Sequence, residues 1–515
     1  MQPIPSNDVV ELIWRDLHAA DFNFNSAFKL QLLDKKFIFA EKILRIIPGK
    51  RLVISGIWQD KPVVAKLFFD THRAKQHWQK EITGAKKLHE NNIPTPQLLH
   101  EVMSVDRRAY VLIFEHIAES EDLASIWKNR PTIAAVLPIL QQAITELATQ
   151  HVLGIMQHDL HLKNFLLADN KIYTLDGAQI EVTAPLLSRT LSMENLALFF
   201  AQLGTGVAAL QKELFLFYAK LRGWRLKTED FYELFYLIQK RNDKRWRQFS
   251  KKIFRNCTDF CRLKFSAFDV MYDRQYTSET LLNFLREPDA IFNHPQTKIL
   301  KAGRSATVAK IQIDQHVFVV KRYNLKNIWH RLRRALRNTR AHNAWQAAHK
   351  LCLFGIATAK PVAFIENNYL GFKGTSYYVT EYIAGPHAGE YFQKYQVDEN
   401  QSKRMVRQIA LLLKNIAQLE MTHGDLKITN ILINNNDQPV LIDLDGTVEH
   451  LSLSGLRNTL QHEIKRFLKN FDQQLDLKDK FKIALTEDDI HIHITSQDAK
   501  CNGYILGDSH ERITS

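Results

Sequence analysis

Branched and aromatic residues concentrate in three short runs near the start of the chain. The runs cover residues 41–47, 51–58 and 62–69, and turn-forming residues separate them at 48–50 and 59–61. Short runs of this composition with such turns between them are typical of adjacent antiparallel strands. The pattern therefore predicts a three-stranded meander.

The pattern changes to a helical one after the meander. It predicts a helix over 72–90, a turn at 92–96, a strand over 109–116 and a long helix over 133–151. The order predicts a small β-rich lobe followed by a mainly helical lobe. This is an α+β architecture.

The second half of the chain repeats this order. Residues 298–300, 306–313 and 316–323 predict strands, and residues 402–421 predict a long helix. Two similar segments mark the repeat, HDLHLKNFLL at 158–167 and GDLKITNILI at 424–433. Three matched pairs share one offset, namely Asp159 with Asp425, Asn164 with Asn430, and Glu115 with Glu381. Asp176 and Asp443 are separated by one position more, and Lys66 and Lys321 by slightly less.

A nearly constant offset over several features predicts two copies of one module. We expect two tandem bilobal modules at residues 1–287 and 297–515, with a linker at 288–296. A strongly basic stretch at 240–264 precedes the predicted end of the first module.

Charge and cysteine content narrow the classes of partner and compartment. The chain has 515 residues, and 69 Lys and Arg against 55 Asp and Glu give a net charge of +14. An excess of this size favours an anionic partner. Four cysteines are too few for a disulfide framework and indicate reduced, cytosolic thiols.

Neither a leader nor a membrane span is expected. The segment from Met1 to Asp16 carries three acids and has no basic part followed by an apolar one, so no signal peptide is predicted. No uncharged apolar stretch reaches the ~18 residues that a spanning helix needs. We expect a cytoplasmic protein, soluble or peripheral at the inner membrane.

The repeated polar residues have the order and spacing of a phosphoryl-transfer site. In each copy an aspartate precedes an asparagine by five residues, and a second aspartate follows twelve or thirteen residues later. The first aspartate can accept the proton of an attacking hydroxyl, and the asparagine and second aspartate can hold Mg²⁺. A lysine at the end of the third strand can contact nucleotide phosphates. Each residue alone is more often a turn residue, a helix cap or a solvated lysine, and only their order changes this interpretation.

The two copies differ at several of these positions. Glu81 can pair with Lys66 in the first copy, whereas Ala344 occupies the matching place in the second, so Lys321 lacks a carboxylate partner on that helix. Asp176 can be matched with Asp443 or, through the Asp-Gly pairs, with Asp445; we prefer the first because Asp176 is the only carboxylate between residues 171 and 180. Neither copy has a GxGxxG loop. The first copy also has Gln157 where the second has His423.

With these motifs the sequence resembles the lipopolysaccharide kinase (Kdo/WaaP) family, over most of both modules. MQHDLHLKNFLL with KIYTLDGAQI carries the resemblance in the first module, and THGDLKITNILI with VLIDLDG carries it in the second. The resemblance implies a protein-kinase-like fold that uses ATP and Mg²⁺. It implies the following site: Asp159 and Asp425 as catalytic bases; Lys66, Glu81, Glu115, Lys321 and Glu381 at the nucleotide; and Asn164, Asp176, Asn430 and Asp443 as metal ligands.

A basic segment favours an anionic glycolipid as partner. Residues 321–340 contain eight Lys or Arg and no acid, with apolar residues at helical spacing. The segment can lie on an anionic membrane or hold substrate phosphates, or it is a solvated helix packed on the small lobe. Nothing resembles a nucleic-acid reader. His491, His493 and His510 are better explained by strand alternation than by a metal site.

The expected function is transfer of phosphate from ATP to a sugar hydroxyl, heptose or Kdo, of the lipopolysaccharide core. Two alternatives stay open. The same fold can phosphorylate a protein or a small molecule, or one or both modules can be pseudokinases that act as scaffolds in envelope biogenesis. The sequence leaves the oligomeric state undetermined.

Overall fold

The fold is described from a computed structural model of the chain. It covers residues 10–19, 27–47, 50–69, 73–129, 132–265, 268–324, 338–369, 372–394 and 398–486. Most of the basic segment, residues 325–337, and the three C-terminal histidines lie outside these residues. Among the described residues, no helix is both long and apolar enough to cross a membrane.

The chain forms two compact units. Unit 1 comprises Met1–Leu203 and Val207–Arg241, and unit 2 comprises Gly204–Gly206 and Asn242–Ser515. The division therefore falls between residues 241 and 242, whereas the sequence suggested a linker at 288–296. Residues 242–287, assigned to the first module from sequence, lie in unit 2 because two of their strands pair with the sheet of that unit.

Unit 1 begins with a curled, mostly antiparallel sheet of seven strands. Their order is β1-β2-β3-β4-β5-β7-β6, and only the β1–β2 pair is parallel. Leu33 N donates to the Met103 carbonyl at 2.9 Å, which joins the chain after β2 to β6 and curls the sheet. The strands are β1 (Val10–Leu12), β2 (Phe28–Gln31), β3 (Phe37–Ile47), β4 (Arg51–Trp58), β5 (Lys61–Phe69), β6 (Leu98–Met103) and β7 (Ala109–Glu115).

The rest of unit 1 is mainly helical. Its core packs apolar residues of α4, α5 and α6 around Phe165 and Phe199. Its helices are α1 (Trp14–Ala19), α2 (Ala74–Glu90), α3 (Leu123–Asn129), α4 (Ile133–Val152), α5 (Arg189–Phe200), α6 (Ala208–Leu221) and α7 (Thr228–Lys252), the last of which continues into unit 2. The short strands are β8 (Glu121–Asp122), β9 (Ile155–Gln157), β10 (Phe165–Ala168), β11 (Lys171–Thr174) and β12 (Ile180–Val182).

Unit 2 also begins with a seven-stranded sheet, in the order β13-β14-β18-β19-β17-β16-β15. All of its described pairings are antiparallel. The strands are β13 (Phe260–Lys264), β14 (Phe268–Asp273), β15 (Lys298–Ala302), β16 (Ala306–Ile313), β17 (His316–Tyr323), β18 (Pro361–Tyr369) and β19 (Phe372–Glu381).

The rest of unit 2 is again mainly helical. Its helices are α8 (Glu279–Arg286), α9 (Ala290–Asn293), α10 (Arg340–Leu353), α11 (Ala388–Lys394), α12 (Glu399–Gln418), α13 (Leu453–Leu468) and α14 (Leu475–Thr486). The short strands are β20 (Met421–Thr422), β21 (Ile431–Ile433), β22 (Pro439–Leu441) and β23 (Val448–Glu449). The mixed α+β architecture with a curled antiparallel sheet confirms the predicted fold class, and the predicted strands at 51–58, 306–313 and 316–323 have the observed bounds.

Candidate active site

The loop between β9 and β10 holds Asp159 and Asn164 close together. Nδ2 of Asn164 donates to the backbone carbonyl of Asp159 at 2.8 Å, and the backbone carbonyl of Asn164 accepts from the Leu175 amide at 2.8 Å. The first bond lies within the loop, and the second joins the loop to the turn that carries Asp176. The Asp159 carboxylate lies 2.9 Å from Nε2 of His161.

Asp176 lies directly before a 3₁₀ turn at Gly177–Gln179. Its φ of 64° is in the left-handed region, which aspartate adopts more readily than most residues. Lys66 of β5 contacts the buried Glu81 of α2, and its Nζ lies 3.4 Å from the Asp176 carboxylate. Arg51 is 3.6 Å from the same carboxylate. Two cations and two anions therefore form a group with no net formal charge.

The two carboxyl groups beside Lys66 differ in proton affinity. Burial would raise the pKa of Asp176, but Lys66, a hydrogen bond with Glu81, and Arg51 together hold that pKa below its usual value. Burial raises the pKa of Glu81, because the opposing effect of Lys66 is smaller. Asp176 has the lower pKa of the two and is ionised, as a metal ligand must be.

Unit 2 has the same backbone bonds around Asp425 and Asn430. Asn430 donates from Nδ2 to the Asp425 carbonyl at 2.8 Å, and its carbonyl accepts from the Ile442 amide at 3.0 Å. Asp443 follows directly, with a φ of 65° before the 3₁₀ turn Leu444–Gly446. This geometry pairs Asp176 with Asp443, not with Asp445.

Lys321 of β17 obtains its carboxylate partners from this turn. It contacts Asp443, and its Nζ lies 3.4 Å from Asp445. Ala344 of α10 is fully buried and offers no carboxylate, whereas Arg340 at the start of α10 contacts Asp445. The sequence indicated the missing acid at Ala344, but it gave no sign that Asp445 and Arg340 complete the group.

The two acids beside Lys321 differ in pKa, as the two acids beside Lys66 do. Burial and a hydrogen bond with Asp443 raise the pKa of Asp445 to about 6. Burial would also raise the pKa of Asp443, but the hydrogen bond with Asp445 and the nearby Lys321 hold it below its usual value. The aspartate in the left-handed conformation is again the one with the lower pKa.

Two charged residues of α13 reach the loop that carries Asp425. Glu463 is buried and accepts the amides of His423, at 3.0 Å, and of Gly424. Arg466 lies 2.7 Å from Oδ1 of Asp425, and Lys427 lies 2.8 Å from Oδ2. Sequence reasoning missed Glu463 and Arg466, because they lie far beyond the motif in the chain and no local pattern connects them to it.

The two acids expected at the nucleotide, Glu115 and Glu381, are engaged within their own small lobes. Oε2 of Glu115 lies 3.4 Å from the Gln97 amide nitrogen. The Tyr276 hydroxyl donates to Glu381 at 2.5 Å. Each glutamate ends the strand beside the lysine strand, but neither carboxylate is a partner of that lysine in the described contacts.

A chain of buried hydrogen bonds supports the loop of unit 1. Arg222 donates to the Tyr218 hydroxyl at 2.6 Å, and that hydroxyl is 2.7 Å from Nδ1 of His151. Nε2 of His151 is 3.0 Å from Oδ1 of Asn195, whose Nδ2 donates to the Gln157 carbonyl at 2.6 Å. Gln157 lies two residues before Asp159, so His151 helps to position this loop.

The pH dependence of stability should report on His151. Burial lowers the pKa of this histidine from 6.5 to about 4, so the unfolded chain binds the proton more tightly. We expect the free energy of unfolding to fall as the pH drops from 6.5 to 4, by up to about 3 kcal/mol from this group. Urea unfolding gives the free energy of unfolding at each pH between 8 and 4.5. For His151→Gln, the slope of this free energy against pH should be shallower than for the wild type. The exposed His462→Gln variant is the control and should keep the wild-type slope; equal slopes for both variants would contradict the assignment.

The donor set at each turn suits Mg²⁺ that is bound together with a nucleotide. Each site offers one ionised aspartate, and an amide whose nitrogen is already used, which leaves its oxygen for a cation. Among the described residues, no three His, Cys, Asp or Glu side chains form a metal cage. Mg²⁺ commonly takes one or two protein carboxylates and completes its shell with water and phosphate oxygens.

Comparison with known families gives a match over part of the chain. Residues 291–495 match the model of the lipopolysaccharide kinase (Kdo/WaaP) family. This confirms the predicted resemblance over that range, which lies in unit 2, and it confirms the prediction of a kinase, a phosphotransferase. The tandem organisation and the kinase role of unit 1 stay predictions. A search of the curated proteins finds no match.

Proposed function

We propose, from the match of residues 291–495 to the lipopolysaccharide kinase (Kdo/WaaP) family, that the chain phosphorylates a heptose or Kdo hydroxyl of the lipopolysaccharide core with ATP. The observation that carries the proposal is the arrangement in unit 2. Asp425, Asn430 and Asp443 are joined by backbone and amide bonds, and Lys321 contacts Asp443. This is the set of groups that phosphoryl transfer from ATP requires.

The residues of unit 2 have separate roles in this proposal. Asp425 is the base, because its carboxylate is partly exposed and the cations beside it keep it ionised. Lys321 holds the nucleotide phosphates. Asn430 and Asp443 would hold Mg²⁺, which neutralises the charge that develops on the phosphates during transfer. Holding the reactants in line and balancing their charge then supply most of the catalysis.

We further propose that unit 1 is a second kinase-like module. Asp159, Asn164 and Asp176 have the same connecting bonds, and Lys66 has both a helix glutamate and the turn aspartate as partners. The ionised Asp176 and the paired Lys66 support nucleotide binding by this unit. In the alternative, unit 1 is a pseudokinase module that serves as a scaffold. Such a module would bind nucleotide but would not transfer phosphate.

The site of action is proposed to be the cytoplasmic face of the inner membrane, where the chain is peripheral. Its net charge of +14 favours contact with an anionic glycolipid or with anionic lipids. No direct role in binding nucleic acid is proposed.

Binding of Mg²⁺ and of nucleotide should depend strongly on each other. In both units the lysine ammonium is paired with the aspartate that would hold the metal. When the pair separates, the aspartate needs Mg²⁺ as its new partner and the lysine needs the nucleotide phosphates. We expect ATP to bind at least about tenfold more tightly with Mg²⁺ than with EDTA, and Mg²⁺ alone to bind weakly. Isothermal titration calorimetry measures both. Equal ATP affinity with and without Mg²⁺ would contradict these ligand assignments.

The proposed function is tested by transfer of label from ATP. The purified full chain is incubated with Mg²⁺, γ-labelled ATP and dephosphorylated lipopolysaccharide core oligosaccharide. Label in the sugar supports the proposal, and mass spectrometry identifies the residue as heptose or Kdo. Label in a protein or small-molecule acceptor instead, with none in the core, supports the first alternative. Nucleotide binding without label in any acceptor supports the scaffold.

A further inference from the structure

The carboxylate of Asp425 is held on both sides by cations. Arg466 NH2 is 2.7 Å from Oδ1, and Lys427 Nζ is 2.8 Å from Oδ2. The side chains of Arg466 and Lys427 are 52% and 44% exposed, so both charged groups can be reached from solvent. A base held in this way is ionised, but each of its oxygens already has a cationic partner that competes with the proton of an acceptor.

The position of Arg466 follows from the anchoring of α13 to the loop. Glu463, three residues earlier, accepts the amides of His423 and Gly424 and is buried. Residues three apart lie on the same face of a helix. Phe467, four residues after Glu463, is fully buried and holds the same turn of α13 against the core of unit 2. Arg466 therefore lies beside Asp425 because of a built connection between helix and loop, and not by chance on the surface.

Unit 1 provides an internal comparison. Asn195 of α5 contacts the Gln157 carbonyl, two residues before Asp159, much as Glu463 contacts the amide of His423. Three residues after Asn195 stands Leu198, which packs on the core of unit 1. The position that matches Arg466 is thus apolar in unit 1. His161 takes the place of Lys427, at 2.9 Å from Asp159.

We propose that Arg466, with Lys427, forms a subsite for an anionic group of the acceptor, a phosphate or a carboxylate on the sugar that unit 2 phosphorylates. An exposed ion pair contributes little to stability, so an incoming anion can replace Asp425 as the partner of Arg466. Guanidinium binds carboxylate and phosphate through paired hydrogen bonds. Binding of the acceptor then releases Oδ1 of Asp425 beside the hydroxyl that is to be deprotonated.

This subsite gives unit 2 a preference that unit 1 lacks. An acceptor without an anionic group leaves Asp425 paired with Arg466, and it is bound more weakly and deprotonated less readily. The expected effect of this subsite on turnover rests on the proposed function. The binding step can be measured without turnover.

The test is calorimetric binding of lipopolysaccharide core oligosaccharide to the full chain, with Mg²⁺ and a non-hydrolysable ATP analogue. Three forms are compared: the native oligosaccharide, the dephosphorylated form and the carboxyl-reduced form. We expect Arg466→Gln to weaken binding of the native form about tenfold or more, and Arg466→Lys to weaken it less. Removing the recognised anion should weaken binding by the wild type to a similar degree, and Arg466→Gln should add little to that loss. The form that loses affinity identifies the anion as phosphate or carboxylate.

Lys465→Gln is the matched control, because it removes the same charge from the exposed neighbouring position of α13 and should bind as the wild type does. The subsite is overturned if Arg466→Gln binds the native form as the wild type does, if it weakens binding of all three forms equally, or if the wild type binds none of them. Binding that depends on Arg466 without transfer of label would leave the subsite standing and refute the proposed function.

Discussion

Replacing Asp425 with asparagine should lower the rate of phosphoryl transfer by unit 2 by about 10²–10⁴-fold, the range for loss of a positioned general base. Asparagine keeps the size of the side chain but cannot accept the proton of the attacking hydroxyl. The Asp425 carbonyl, which accepts from Asn430, is unchanged, so the loop should keep its conformation. Single-turnover measurements with saturating ATP report the chemical step directly.

The control for this variant is Asp437→Asn in the same unit. Asp437 lies in an exposed turn with a φ of 53°, a conformation that asparagine also adopts. It should retain wild-type turnover. Affinity of Asp425→Asn for Mg²⁺ and ATP should stay within a few-fold of the wild type. If Asp425→Asn transfers label normally while Asp159→Asn does not, the chemistry belongs to unit 1 and the role of Asp425 is wrong.

Replacing Gly84 with alanine should locally unfold the nucleotide site that is proposed for unit 1. An added Cβ on Gly84 would clash with the carbonyl oxygen of Gly177, the residue after Asp176. Because this contact is with backbone, α2 and the turn must move apart, and overpacking of this kind costs about 1–3 kcal/mol or more. The effect opposes helix propensity, which favours alanine over glycine by about 1 kcal/mol.

The same movement should weaken ATP binding by unit 1, because α2 carries Glu81 and the turn carries Asp176, the two partners of Lys66. Hydrogen exchange should show lost protection in peptides covering 74–90 and 171–182, with unit 2 unchanged. Gly455→Ala in α13 is the control, since its Cβ would meet side-chain atoms rather than backbone, namely Oγ of Ser452 at 3.1 Å and Nδ1 of His450 at 3.7 Å. Unchanged protection in Gly84→Ala would show that the local stability of this site does not require the close approach of α2 and the turn.

Local patterns predicted several of the strands and the motif loops. Strands β16 and β17 have the predicted bounds because their apolar runs are separated by Asp314-Gln315, and Asp314 has the positive φ of a tight turn. The spacing on α2 indicated that Glu81 could reach Lys66, and the two residues are in contact. In each case the information lies within the element concerned or the one next to it in the chain.

Contacts between distant segments were not predicted. Arg340 and Asp445 lie far apart in the sequence, and no pattern in either segment indicates that they pair. Strands β13 and β14 were missed for the same reason, because β14 pairs with β18, which follows much later in the chain. The basic composition of 240–264 looked like the end of a module, whereas its last residues form a strand of unit 2.

The place of β13 and β14 in the sheet also determines where the chain can be cut. A fragment that starts at residue 297, the predicted start of the second module, would lack both strands and leave the backbone of β18 unpaired along one side. Val270 and Tyr272, which are buried in the core of this sheet, would be lost with them. An unpaired, apolar strand of this kind is a template for intermolecular pairing, so such a fragment is expected to aggregate. Expression of unit 2 as a separate protein therefore requires a start upstream of Phe260, near the division at residue 242.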